Sequence, residues 1–106
     1  MTSALAAPLP GKVIARGTAS GQFAIASAHA TVKNPRALYL RLVGKIDSGT
    51  VIVGCSRGLS VSANSYAKKK AGLYRLPIRP ARADSCDLTG SAGGSGRIVI
   101  ELRAVK

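Results

Sequence analysis

Arg97-Ile-Val-Ile-Glu-Leu-Arg-Ala-Val105 alternates without a break. Ile98, Ile100, Leu102 and Ala104 point one way, and Glu101 and Arg103 point the other. A period of two is the pattern of a strand with one face in a core. The run before it, Gly90-Ser-Ala-Gly-Gly-Ser-Gly96, is rich in glycine. A phosphate cradle needs a helix N-terminus after its glycines. Here a strand follows, so the run reads as a hairpin loop.

Working back from this strand, the same period recurs. Lys12–Ala19 reads as a first strand and Ser20-Gly21 as a turn. From Gln22 to Lys33, Ala24, Ala26, Ala28, Ala30 and Val32 share one face, while Phe23, Ile25, Ser27, His29 and Thr31 share the other. Alanine favours helices, but the period is two, and an all-alanine face lets another layer approach closely. Asn34-Pro35 is a turn signal. In Ala37–Ile46, Leu38, Leu40, Leu42 and Ile46 oppose Tyr39, Arg41 and Lys45. Asp47-Ser-Gly49 is expected to turn that strand into Thr50–Cys55 as a hairpin. Leu59–Tyr66 alternates again, and Leu73–Ile78 is a short strand whose Pro77 argues for a sheet edge. The expectation is an all-β fold: a small antiparallel β-sandwich of about seven or eight short strands, with a small barrel as the alternative.

The chain has 106 residues, room for one domain, read here as an N-terminal arm over 1–10 and one β-sandwich domain over 11–106. A chain of this size buries roughly two-thirds of its unfolded surface. With no Trp and a single Phe, the core rests on Val, Ile, Leu and Ala and gains from a covalent brace. Cys55 and Cys86 allow one intramolecular pairing, with buried free thiols as the other reading. A disulfide here closes a loop that stabilises by roughly 3–4 kcal/mol on the chain-entropy model.

The N-terminus favours the oxidised reading. Ala4-Leu-Ala6 is the small-x-small pattern of a signal-peptidase site, with Ala7 as the mature start. No apolar run reaches the ~18–20 residues of a membrane span, so the expectation is a secreted, extracellular protein.

Sixteen Lys and Arg face four acids, a formal net charge of +12. A field of this sign draws polyanions and acidic protein surfaces; a merely solvated basic exterior is the plainer account. Catalysis needs convergent groups. His29 is the single histidine, with no carboxylate near it in sequence, and no Gly-x-Ser-x-Gly elbow is present. Two cysteines and one histidine at these spacings match no zinc pattern. The expectation is a protein that is not an enzyme, with no metal and no cofactor. Nucleic-acid readers set several aromatics among basic residues; Tyr39, Tyr66 and Tyr74 beside Arg41, Lys68 and Arg75 offer the raw material, but a secreted protein does not meet nucleic acid as its natural partner.

Val53-Gly-Cys-Ser-Arg-Gly58, then Ala83-Asp-Ser-Cys-Asp-Leu-Thr89 and the closing Arg97–Arg103, resemble small secreted proteins of actinomycetes. The resemblance implies one disulfide in a β-sandwich without a catalytic site. Among such proteins is the adaptor subunit of umbrella toxin particles, where by implication a small domain joins a lectin-bearing subunit to a long toxin chain.

The expected role is therefore a non-catalytic module docking another extracellular protein, one with an acidic surface. The candidate contacts are the stiff arm Ala7, Pro8, Leu9 and Pro10, and the basic residues Arg57, Lys68, Lys69 and Lys70. Stiff prolines lose little entropy on docking, and rim cations act mainly on the rate of encounter. Two alternatives stand beside it. One is a protease inhibitor presenting Arg57 on the Ser56-Arg57-Gly58 loop. The other is a basic protein that binds an anionic cell-wall polymer.

Overall fold

A computed structural model describes residues 9–57, 60–77 and 85–106. Its strands are β1 (Lys12–Lys33), β2 (Ala37–Arg57), β3 (Ser60–Lys68), β4 (Gly72–Arg75) and β5 (Ser85–Val105). Every pairing is antiparallel, in the order β1-β5-β2-β3, with β4 also on β2. The all-β antiparallel expectation holds.

The strand count does not. Among the described residues there are five strands rather than seven or eight, because the expected turns lie inside strands. Ser20-Gly21 falls within β1, Asp47-Ser-Gly49 within β2, and Gly90–Gly96 within β5. In β1 and β2 the physical reason is that a bulge reverses which parity faces the core, as a turn does. In β5 the even positions stay buried on both sides of the glycine run, which bends the strand without ending it. In β2 the buried positions change from Leu38, Leu40, Leu42 and Ile46 to Val51 and Val53. The register slips between Val43 and Lys45 and again between Ile46 and Ser48. In β1 it slips between Gly21 and Ala24.

These irregularities line up. Gly21 (φ 136°), Gly44 (φ 104°) and Gly96 (φ 73°) all lie where the strands change direction, and Gly21 is paired with Gly96. A side chain at such φ values is strained, so glycine is what lets three adjacent strands bend along one line. The sheet is thereby folded over itself. One layer holds residues 12–21, 37–43, 72–75 and 97–105; the other holds 24–33, 45–57, 60–68 and 85–94. The smallest extent of the molecule, 17 Å, is that of two packed layers about 10 Å apart plus their pleat.

The enclosed core is apolar throughout. Leu38, Leu40, Leu42, Ile98, Ile100 and Leu102 of the first layer meet Ala24, Ala26, Ala28, Ala30, Val32, Val51, Val53 and Leu88 of the second. The alanine face is buried as expected. Its small side chains let the two arms of β1 come into backbone contact, so that a Cβ added at Gly17 would strike the carbonyl of Ser27.

The two cysteines form a disulfide, Cys55–Cys86, between directly paired residues of β2 and β5 with Cα atoms 4.0 Å apart. It ties neighbouring strands of one layer. Among the described residues β4 pairs with β2 alone, the edge position that Pro77 suggested, and Leu76 continues it with an N–H donated to the carbonyl of Leu38 at 2.9 Å. No helix among the described residues is long and apolar enough to cross a membrane.

Candidate functional site

Alternation along β5 and β2 that buries the even positions in the first layer turns Glu101, Arg103, Tyr39 and Arg41 to its outer face. Pairing brings Arg16 beside Glu101 on one side and Arg41 beside it on the other. Beyond β2, Leu73 lies opposite Arg41 and Arg75 opposite Tyr39.

Glu101 is nevertheless only 1% exposed, because the guanidinium stems cover it. Its Oε2 accepts from Arg16 Nη2 at 2.6 Å and from Arg41 Nη1 at 3.2 Å; its Oε1 accepts from Arg103 Nη1 at 3.0 Å. Burial alone would push this carboxyl up. The hydrogen bonds from Arg103, Arg16 and Arg41 outweigh it and hold Glu101 below the usual glutamate range.

The three arginines are not equivalent. Arg103 also donates Nε to the carbonyl of Pro10 at 2.9 Å and Nη2 to that of Gly11 at 3.1 Å, so it is locked into the fold. Arg16 and Arg41 each spend one donor on Glu101, and their side chains are 58% and 31% exposed.

The second layer's outer face carries hydroxyls instead. Ser27, Ser91 and Thr50 form one cross-strand row, and His29, Thr89 and Ile52 the next. Asp87 Oδ1 accepts from the Thr31 hydroxyl at 2.8 Å and lies 2.8 Å from His29 Nε2. The Thr31 bond above all, helped by His29, holds Asp87 below the usual aspartate range against the opposing effect of burial. His29 has no carboxylate near it along the chain; strand pairing supplies one from 58 positions away. The pair sits exposed on an open face. Among the described residues no group of three or more His, Cys, Asp or Glu could hold a metal ion.

The contacts expected from sequence are not brought together. Pro10 lies beside Arg103 at the start of β1, and Leu9 is exposed at 39%; Ala7 and Pro8 lie outside the described residues. Arg57 ends β2 at the far end of the other layer, next to Ser60, and its side chain lies outside the described set. Lys68 lies opposite Gly49 near the bend, with its ammonium 5.0 Å from the centre of the Tyr74 ring. The Tyr74 hydroxyl in turn donates to the carbonyl of Lys70 at 2.6 Å. Lys68 thus braces the β3–β4 turn, while Lys69 and Lys70 are exposed.

Two features were missed in the sequence. One is the arginine cluster, whose signal was a lone acid inside the apolar run 97–105. The other is the exposure of Phe23 (89%) and Ile25 (76%) beside the bend of β1.

No family model matches the sequence, and no curated protein does. Among solved structures, the chain is similar to the carbohydrate-binding module TmCBM61 in complex with β-1,4-galactotriose. The match has a TM-score of 0.52 at 9% identity and covers 87% of this chain and 70% of that one. The likeness is one of fold.

Proposed function

We propose that the protein is a secreted, non-catalytic binding module that docks an extended segment of another extracellular protein against the second arm of β1. The observation that carries this is the pair Phe23 and Ile25, large apolar side chains left 89% and 76% exposed on a strand that pairs with β5 alone among the described residues. Backbone groups on the other side of such a strand are open to strand addition, where main-chain bonds give affinity and side-chain contacts give specificity. Residues 24–33 suit it, because the alternate residues Ala24, Ala26, Ala28 and Ala30 anchor the arm in the core while Ile25 faces outward, and the arm carries no acid. The net charge of +12 favours an acidic partner and opposes self-association.

The disulfide supports an oxidising compartment. The likeness to a carbohydrate-binding module supports binding as the use of the fold.

Capture of a partner from the native culture medium, followed by amide hydrogen exchange on the complex, tests this reading. Residues 24–33 are expected to gain protection on binding, and Ile25→Asp to abolish capture. Unchanged exchange along β1 with the partner bound, or full capture by Ile25→Asp, would sink it.

A further inference from the structure

Arg16 and Arg41 donate to the same oxygen of Glu101, so their terminal nitrogens can be no farther apart than those two bonds laid end to end. A guanidinium has five donors and forks onto planar oxyanions. Each of these two spends one donor on Glu101, and the rest of each group is partly exposed. The buried carboxylate therefore does two things. It holds two guanidinium groups side by side that would otherwise repel, and it pre-sets their directions, which lowers the ordering cost of a ligand.

Charge on this face remains positive. Among the described residues Glu101 is its one acid, against Arg16, Arg41, Arg75 and the locked Arg103. Beside the pair lie two apolar side chains. Leu73, 40% exposed, is opposite Arg41, and Tyr39, partly exposed, is the next residue of β2 on the same side.

We propose that the outer face of the first layer is a binding site for an acidic polysaccharide, independent of the docking role of β1. The sugar's carboxylate is held by Arg16 and Arg41, and a sugar ring lies against Tyr39 and Leu73. A sugar acid offers both an oxyanion and a C–H face, which matches the two chemistries juxtaposed here. A bare polyanion offers only the first.

The test measures binding of the whole protein to three probes: oligogalacturonate, linear polyphosphate and an uncharged galactan. Losing charge-assisted bonds from two arginines should weaken oligogalacturonate binding by about tenfold or more in Arg16→Gln/Arg41→Gln. Lys69→Gln/Lys70→Gln removes the same charge elsewhere and is expected to change it by less than about twofold. Tyr39→Ala and Arg75→Gln, neither of which touches Glu101, keep the test open if the double arginine variant fails to fold. Tyr39→Ala should weaken oligogalacturonate and leave polyphosphate unaffected, and Arg75→Gln should weaken both. The uncharged galactan should not bind. Equal losses in the lysine and arginine variants would mean diffuse attraction and overturn the proposal. So would indifference of oligogalacturonate to Tyr39→Ala, or galactan binding that matches the acidic chain.

Discussion

The two outer faces of the folded sheet come from the same three long strands and differ in almost every respect. The face of the first layer is organised by one buried charge, Glu101, with arginines converging on it from three directions. The face of the second is a field of small hydroxyls in which the hydrogen-bonded pair His29 and Asp87 stays wet. Water is what separates them. Where guanidinium stems exclude it, a carboxylate depends on its partners and its loss is costly. Where it is not excluded, an ion pair of similar geometry contributes little. The layers also differ in bracing, since the disulfide lies wholly in the second.

That difference in bracing gives the largest expected effect. Cys55→Ala/Cys86→Ala frees a loop of 31 positions that holds β3 and β4 and should cost roughly 3–4 kcal/mol. Denaturant unfolding measures it. Hydrogen exchange should place the added opening in 45–57 and 85–94, and uniform loosening of both layers would show that the brace acts on the whole sheet.

Glu101→Gln is next. It leaves three guanidinium groups around a neutral amide and should cost about 3 kcal/mol, the low end for opening a buried pair, because water still reaches Arg16. The folded state holds Glu101 below its ordinary pKa. Its contribution is therefore fully present above the unfolded glutamate value and is lost as pH falls through the lower folded one. The wild-type protein should lose stability across that acidic window, and Glu101→Gln should lose less of it. Parallel pH curves for the two proteins would remove Glu101 from its organising place.

The period of two was legible, and with it nearly the whole core: the rows Leu38–Leu42, Ala24–Val32 and Ile98–Ala104 are buried as read. The continuity of the strands was not. A glycine that ends a strand and a glycine that bends one leave the same mark in sequence, a small residue interrupting an apolar row. Which of the two Gly44 or Gly96 does depends on whether the partner strand bends at the same level. The site was less legible than the fold. The arm, Arg57 and the lysines stand out in sequence as stiffness or exposed charge, yet Lys68 rests on Tyr74. The arginines that converge belong to β1, β2 and β5, whose adjacency only register reveals.

Glycines set how closely one layer approaches the other. Gly17→Ala would drive a methyl group into the backbone of Ser27, whereas a Cβ at Gly54 meets nothing within 4 Å. The first should destabilise by about 1–3 kcal/mol through overpacking. The second should be neutral or slightly stabilising, since alanine restricts the unfolded chain. Thermal unfolding of the pair decides it, and equal effects would mean that the arms of β1 can part without cost.

The smallest effect belongs to the hydroxyl face. Asp87→Asn removes the carboxylate charge beside His29 and should change stability by less than about 0.5 kcal/mol, as exposed pairs do. The pair is more informative through titration. Thr31 is the first cause of the low Asp87 pKa, so Thr31→Val should raise it toward the ordinary aspartate value, and His29→Gln should raise it less. The sign for stability follows: the Asp87 contribution is present above the unfolded aspartate value and disappears as pH falls through the folded one. NMR titration of the Asp87 carboxyl reads both shifts. If His29→Gln moved it more than Thr31→Val, charge rather than hydrogen bonding would govern this face too, and the contrast with Glu101 would shrink to one of burial alone.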